Sequence, residues 1–349
     1  MTASSTSLKH KLKLNFKISH RNWSEALNHS FVTIVTASPG EVVCITGPSR
    51  AGKSMLVSEL EMLLGGCRES PDFNQYLCVS VMAKNTGPDG RFSTKAFAAR
   101  LLDTVDHPSL ELLDDLARAS RLDRLTENAI ITMLERCLVR RGVRYLFIDE
   151  AQHVRYTAKA HQAPSAVMDS WKCLSEAAGI VLVVVGAYPI LSIISESPHL
   201  SGRTRVVHFP PYAENNKDAE EFLSIANTFL SQAEQEVQLS LEGLVPLLYQ
   251  HTLGCIGLLR LWFIGALNLA ELSDKPLTED ILESARLPYS LLEGIIQEMK
   301  DGEHNLLLSR DDYYADNFLV VQKGKSTNKK GGRAFCKKPR RMAAGNRTA

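Results

Sequence analysis

The amino-acid sequence predicts an α/β fold, in which a parallel sheet of five strands lies between helices and is followed by an all-helical region. Two observations lead to this prediction. Up to Pro211, short apolar runs alternate with segments of helical periodicity, which is typical of parallel strands joined by right-handed crossovers. From Asn215 to about Met299 only helical periodicity remains, so no strand is expected there.

The predicted elements follow one another in a regular order along the chain. Five apolar runs of strand length are expected to form the sheet, at residues 41–46, 76–82, 145–148, 180–185 and 206–209. Apolar residues recur at helical spacing between them, in the segments 54–64, 94–102, 110–140 and 164–178. The later helices are predicted at 217–236, 240–250, 255–272 and 278–298.

A phosphate-binding motif follows the first strand. Residues 47–54 read GPSRAGKS and match the pattern G-x-x-x-x-G-K-[ST], with an apolar strand before it and a helix after it. In such a loop the backbone amides point at phosphate oxygens, Lys53 neutralises charge near the β and γ phosphates, and Ser54 can ligate Mg²⁺. We therefore expect a nucleoside triphosphate to be bound by Gly47, Pro48, Ser49, Arg50, Ala51, Gly52, Lys53 and Ser54.

Two carboxylates end the third predicted strand, Tyr145–Ile148. Asp149 and Glu150 are thereby placed at the carboxyl edge of the sheet, where open α/β sheets bind ligands. Asp149 would hold Mg²⁺, usually through water, and Glu150 would orient and polarise an attacking water molecule. Such a pair indicates hydrolysis rather than phosphoryl transfer to an acceptor. The alternative is a pair of surface acids at the end of a core strand.

Composition excludes several classes of protein. The chain has 349 residues, of which 44% are hydrophobic, and no apolar run is long enough for a membrane span. The polar, basic start lacks the apolar core of a secretory signal, so a cytoplasmic location is expected. The seven cysteines are scattered without metal-ligand spacing, which argues against a zinc site or a disulfide framework.

Charge is distributed unevenly along the chain. Five Lys or Arg residues and no acid occur in the first 21 residues, and ten with no acid occur from Phe318 to Ala349. The body between these arms is therefore acidic. Basic terminal arms favour contacts with a polyanion or an acidic partner, although a solubilising tail is the alternative.

Several motifs together resemble a known family. The segments GPSRAGKS, YLFIDEAQHV, IVLVVVGAYP, SGRTRVVHFPPY and HTLGCIGLL are similar to those of the TnsC/TniB transposition regulators within the AAA+ ATPases, over about residues 20 to 290. The resemblance implies an AAA+ P-loop NTPase fold with a helical lid, and a bacterial, cytoplasmic ATPase that uses ATP and Mg²⁺. It also implies a ring or helical homo-oligomer on duplex DNA that connects a target-selector protein to transposase subunits, including in CRISPR-associated transposons.

The same resemblance divides the chain into four segments. These are a basic N-terminal extension with a first helix (1–36), the nucleotide-binding core (37–212), the helical lid (213–300) and a C-terminal extension with a basic tail (301–349). The tail has three interpretations: nonspecific DNA contact, docking onto a transposase component, or solubility.

An arginine finger is also implied. Arg203 matches the family's residue that reaches the γ phosphate bound by a neighbouring subunit, and Arg205 is its close competitor. At two positions the sequence differs from the residues that AAA+ proteins usually carry. Gly186-Ala187-Tyr188 replaces the small polar sensor after the fourth strand, and Gly257 stands where a lid arginine is frequent. Arg260, one turn further, is a possible substitute. The absence of the usual sensor residues at these two positions suggests slow ATP hydrolysis.

Isolated cations occur in two polar segments after the second and third strands. In the related proteins these segments touch the DNA backbone, and low sequence specificity is expected because phosphate contacts require charge only. The candidate DNA-binding residues are Lys84, Arg91, Thr94, Lys95, Arg155 and Lys159. His153 is a candidate relay between nucleotide and DNA, or simply a hydrogen-bonded residue.

Three other functions share parts of this pattern. A helicase loader or replication initiator has the same nucleotide motifs, and it would usually add a DNA-reading winged helix, which residues 300–349 do not suggest. A signalling P-loop NTPase would bind partners without DNA. A small-molecule kinase would need a pocket for the phosphate acceptor, and this function would assign no role to the helical region.

Overall fold

Five strands form one fully parallel sheet. The structure, a computed structural model, describes residues 18–65, 76–86, 90–111, 113–157, 163–233 and 235–307. The strand order is β2-β3-β4-β1-β5, with β1 at Val42–Thr46, β2 at Cys78–Met82, β3 at Tyr145–Asp149, β4 at Val181–Gly186 and β5 at Thr204–His208. The predicted parallel five-stranded sheet is confirmed, because every neighbouring pair of strands is parallel.

Helices cover both faces of the sheet. Alternate residues of a strand point to opposite faces, so Val42 and Cys44 join one apolar cluster and Val43 and Ile45 join another. Helices of this region are α1 (Arg21–Val35), α2 (Lys53–Gly65), α3 (Thr94–Thr104), α4 (Pro108–Glu111), α5 (Asp115–Arg124), α6 (Glu127–Arg141), α7 (Pro164–Ala178), α8 (Pro189–Ser195) and α9 (Pro198–Ser201). A 3₁₀ segment, Ala151–Tyr156, follows β3.

The long helix predicted at 110–140 is not continuous. Two N-caps interrupt it: the Asp114 side chain accepts a hydrogen bond from the Ala117 amide (2.7 Å), and the Thr126 hydroxyl accepts one from the Ala129 amide (3.2 Å). Short polar side chains that satisfy the first free amides favour a new helix start over continuation. The segment therefore forms α4, α5 and α6 instead of one helix.

In its described residues the second region contains helices and no strand, as predicted, apart from an isolated bridge between Val237 and Leu277, and it has its own core. Its helices are α10 (Asn216–Ser231), α11 (Val245–Thr252), α12 (Ile256–Leu272), α13 (Glu279–Ser284) and α14 (Tyr289–Leu307), with a 3₁₀ segment at Glu242–Leu244. Phe222, Trp262 and Phe263 are buried together at its centre. The helix predicted at 278–298 is split before Pro288, because proline disfavours helical geometry in the residue that precedes it.

In the described ranges no single helix has the length and apolarity to cross a bilayer. One pair of helices, Glu242–Thr252 with Ile256–Leu272, has sufficient length and apolarity together but is bent by 109°.

Candidate nucleotide-binding site

A cavity of about 700 Å³ lies at the carboxyl edge of the sheet. It brings together parts of the chain that are distant in sequence: the start of α1, the predicted phosphate-binding loop, Glu150 and Gln152 after β3, Ala187 after β4, and the helical region. Its lining includes Ile18, His20, Trp23, Ser49, Arg50, Ala51, Gly52, Lys53, Ser54, Glu150, Gln152, Ala187, Phe229, Ile256, Gly257 and Arg260. A cavity of this size is typical of a small-molecule or cofactor site.

The lysine of the predicted loop is buried inside it. Lys53 is 8% exposed, and its Nζ donates hydrogen bonds to the carbonyl oxygens of Gly47 (3.0 Å) and Pro48 (2.8 Å). Burial lowers the pKa of Lys53, and the nearby carboxylates of Glu298 and Glu150 oppose that effect. A triphosphate on the loop would add negative charge close to this ammonium group and stabilise its charged form.

The two residues predicted to hold Mg²⁺ lie in contact. Ser54 Oγ donates to Asp149 Oδ2 (2.8 Å), and Asp149 is 7% exposed. Hydroxyl and carboxylate oxygens are the donors that Mg²⁺ prefers, so this pair fits the ion. Within the described residues no group of three or more His, Cys, Asp or Glu side chains is placed to hold a metal alone. Phosphate oxygens and water would have to complete the ligand set.

Glu150 is held in a defined orientation at the edge of the cavity. Its backbone is left-handed (φ 55°), a strained conformation for a residue with a side chain, and its amide donates to Asp149 Oδ1 (2.8 Å). Its carboxylate oxygen Oε2 accepts a hydrogen bond from Gln152 Nε2 (2.6 Å). Next in the chain, His153 Nδ1 lies 2.7 Å from the carbonyl oxygen of Ala83, which agrees with the hydrogen-bonded alternative for this residue.

Both candidate arginine fingers lie at the opposite edge of the sheet. The carbonyl of Arg203 accepts from the amide of Val42, the first residue of β1, whereas the phosphate-binding loop follows the last residue of β1. The two edges are separated by four residue steps, about 13 Å. Arg203 forms an ion pair with Glu176, and Arg205 pairs with Glu41 at 2.8 Å. In this arrangement neither guanidinium faces the cavity of its own chain.

The candidate DNA-binding residues come from two segments that lie side by side. Phe92 donates its amide to the carbonyl of Tyr156 (2.7 Å), which joins the segment before α3 to the end of the 3₁₀ segment. Lys84, Arg91 and Arg155 are exposed.

Two candidates on the first of these segments are partly buried. Thr94 is the first residue of α3, and Lys95 Nζ donates to the carbonyl of Asp123 (2.7 Å). Lys159 lies outside the described residues, as do residues 1–17 and 308–349, which contain most of the basic arms.

One end of the cavity is apolar and aromatic, a feature that sequence reasoning missed. Ile18, His20 and Trp23 line it from the start of α1, and Phe229 and Ile256 line it from the helical region. Such a surface suits the base of a nucleotide. The only sequence signal was an aromatic residue near the start of the first helix, and it has no fixed spacing from the GPSRAGKS motif.

The buried imidazole at this end is neutral near pH 7. Burial, together with the charge of Arg21, lowers the pKa of His20 to about 4. His20 Nδ1 accepts a hydrogen bond from the Trp23 amide (3.3 Å), so the hydroxyl of Tyr212, 3.0 Å away, must also donate to Nδ1. Nε2 of His20 therefore carries the ring proton.

A carboxylate from α14 contacts the phosphate-binding loop. Glu298 Oε1 accepts from the Ser49 amide (3.1 Å), and Glu298 Oε2 lies 3.0 Å from the Ser49 hydroxyl. Ser49 and Glu298 are 249 positions apart in the sequence, and no local pattern predicts their contact. The helical region makes a second contact through Gly257, whose amide donates to the carbonyl of Arg50 (3.0 Å). Arg260, the possible lid arginine, also lines the cavity.

Comparison with known proteins identifies the fold. Residues 36–194 match the family model of the AAA domain. No curated protein is significantly similar to the chain in sequence. A Walker-type ATPase of Pyrococcus abyssi has a similar structure, with 15% identity, coverage of 91% of this chain and 89% of that chain, and a TM-score of 0.50.

Two origin-recognition proteins are also similar in structure. The ORC2 protein of Aeropyrum pernix, solved as ADPNP–ADP complexes, has 15% identity, 78% and 71% coverage and a TM-score of 0.54. Drosophila ORC bound to DNA has 14% identity, 93% and 76% coverage and a TM-score of 0.52. At such low identity these likenesses concern the fold alone, which is the AAA+ P-loop fold followed by a helical region.

Proposed function

We propose that this protein is a regulatory ATPase that binds ATP with Mg²⁺ in the cavity at the carboxyl edge of its sheet. The observation that carries the proposal is the convergence of Lys53, the Ser54–Asp149 pair and Glu150 on that cavity. Each group has a part in phosphoryl transfer to water: Lys53 and the loop amides bind the phosphates, and Glu150 orients and polarises the water. Mg²⁺, when bound by Ser54 and Asp149, would neutralise charge on the phosphates.

Hydrolysis is proposed to depend on a neighbouring copy of the chain. Arg203 lies at the amino edge of the sheet, about 13 Å along β1 from the phosphate-binding loop, and this distance supports a role at the cavity of another subunit rather than at that of its own chain. An arginine supplied in this way stabilises charge on the transferred phosphoryl group. Its ion pair with Glu176 would then have to open on assembly.

The assembly is proposed to form on duplex DNA and to regulate transposition. Support comes from the resemblance to the TnsC/TniB motifs and from the exposed cations Lys84, Arg91 and Arg155 on two joined segments. Oligomerisation would repeat these few phosphate contacts along the duplex, which explains how a weak basic patch per subunit can suffice. Target-selector and transposase partners would contact the oligomer.

A second candidate is a replication initiator or helicase loader. It is favoured by the likeness in fold to the ORC2 protein and to Drosophila ORC bound to DNA. A replication initiator would prefer origin-like sequences, whereas the proposed regulator would bind duplexes of unrelated sequence with similar affinity.

Electron microscopy of the full chain with duplex DNA tests the proposal. ATP and a non-hydrolysable analogue should give DNA-dependent oligomers, and ADP should give few. Lys53→Ala should abolish the oligomers, and Glu150→Gln should prolong them by slowing hydrolysis. A chain that hydrolyses ATP at full rate as a monomer, with no response to protein concentration or DNA, would contradict the assembly.

A further inference from the structure

Gln152 connects the carboxylate of Glu150 to the end of β4. Its Nε2 donates to Glu150 Oε2 (2.6 Å), and its Oε1 accepts from the amide of Ala187 (3.2 Å). A backbone amide can only donate, so the orientation of the side-chain amide is determined by this network. One N–H of the Gln152 amide group remains after the bond to Glu150, and Gln152 lines the cavity together with Lys53.

The side chain of Gln152 fills the space that a side chain on β4 would need. A Cβ atom added to Gly186 would lie 2.3 Å from Gln152 Oε1, which is closer than real contacts allow. The next atoms are Gln152 Cδ and Ile190 Cδ1, both at 3.4 Å. A side chain at position 186, where AAA+ proteins usually carry a small polar one, would therefore have to displace the end of the Gln152 side chain.

We propose that Gln152 replaces the missing polar residue of β4. One of its N–H groups holds Glu150 in place, and the other is available to the terminal phosphate of the bound nucleotide. This inference rests on the proposed ATPase function. It adds that the polar group beside Glu150 lies on the 3₁₀ segment, at Gln152, instead of at the end of β4. A polar residue at position 186 should therefore be able to replace Gln152.

Removing the amide tests the first part. Gln152→Ala should lower single-turnover ATP hydrolysis by about tenfold to a hundredfold, since a misplaced Glu150 loses part of its effect on water. The preference of this variant for a non-hydrolysable ATP analogue over ADP should fall by about tenfold, while its affinity for ADP stays within about threefold of the wild-type value. Gln152→Met, which keeps the volume without donors, should behave alike and guards against a folding defect in the alanine variant.

A matched control exists in the helical region. Gln238 is exposed and donates its Nε2 to Glu236 Oε1 (2.8 Å), so it pairs with a glutamate two residues earlier, as Gln152 does. Gln238→Ala removes the same kind of bond away from the cavity, and it should leave hydrolysis and the nucleotide preference unchanged.

The exchange itself is the decisive experiment. Gly186→Ser alone should impair hydrolysis at least tenfold, because its Cβ displaces Gln152. The double variant Gln152→Ala with Gly186→Ser relieves the 2.3 Å contact and restores a polar group near Glu150. It should hydrolyse ATP several times faster than either single variant, a rescue that a purely structural role would not produce.

The outcomes separate the two proposals. A wild-type protein that does not hydrolyse ATP refutes the ATPase, and the preference for the triphosphate analogue still tests Gln152. If Gln152→Ala and Gln152→Met keep both the rate and the preference, or if the double variant is no better than the single ones, the assignment of Gln152 is overturned.

Discussion

The contact between Glu298 and the phosphate-binding loop gives a quantitative prediction. The carboxylate accepts from the amide and hydroxyl of Ser49, groups on the loop that is expected to surround the phosphates. A phosphate charge about 5 Å from this carboxylate is repelled by about 0.8 kcal/mol in a water-like medium and by about 3 kcal/mol at an effective dielectric constant of about 20. Because Glu298 is half-buried, we take a repulsion energy between these two limits.

Glu298→Gln should therefore strengthen ATP binding by about tenfold, which corresponds to about 1.4 kcal/mol. The substitution keeps the shape and one oxygen acceptor and removes the charge. Calorimetric titration with a non-hydrolysable ATP analogue at low and high salt measures the effect, and the gain should shrink as salt screens the charge. Glu293→Gln, on an exposed site of the same helix α14, is the control and should change little.

An equal or weaker affinity in Glu298→Gln would refute the reasoning. It would mean that the carboxylate supports the conformation of the loop more than it repels the phosphates. Comparison with ADP adds a second criterion, because the gain should be larger for the nucleotide that carries more negative charge.

Three further predictions concern other parts of the site. Gly257→Ala would place a Cβ 2.3 Å from the carbonyl oxygen of Arg50, so calorimetry should find nucleotide affinity at least about fivefold lower, whereas Gly265→Ala on the same helix, with its nearest atom at 3.9 Å, should bind normally. The pKa of His20 is about 4 in the folded chain, whereas a histidine in the unfolded chain has a pKa of about 6.5. Between these two pH values the unfolded chain binds a proton at His20 that the folded chain does not bind. The free energy of unfolding in urea should then fall by about 2 kcal/mol from pH 7 to pH 5, and His20→Gln should remove that part of the pH dependence. Subunits with Arg203→Ala and subunits with Lys53→Ala should each be inactive and should regain part of the ATPase rate when mixed, because one supplies the loop and the other the arginine; no recovery would contradict action between subunits.

Local sequence was sufficient to predict the sheet and the loop that follows β1. The apolar runs of β1 and β4 are continuous because both faces of these strands are buried, and the GPSRAGKS motif specifies a loop from eight adjacent residues. The predicted helix at 164–178 agrees with α7, since Pro164 favours a helix start and Gly179 a helix end. The break of segment 110–140 was missed because the caps at Asp114 and Thr126 lie within an otherwise helical pattern.

Tertiary structure alone decided which side chains surround the cavity. A glutamate on an amphipathic helix, such as Glu298, or a histidine before a helix, such as His20, has many possible environments, and only folding places either one against the loop or in a buried, neutral state. Gln152 is adjacent to the acids in sequence, yet its contact with Ala187 depends on how β3 and β4 pair. Motifs arise from neighbours along the chain, whereas hydrogen bonds, burial and repulsion depend on distances that only the packed chain defines.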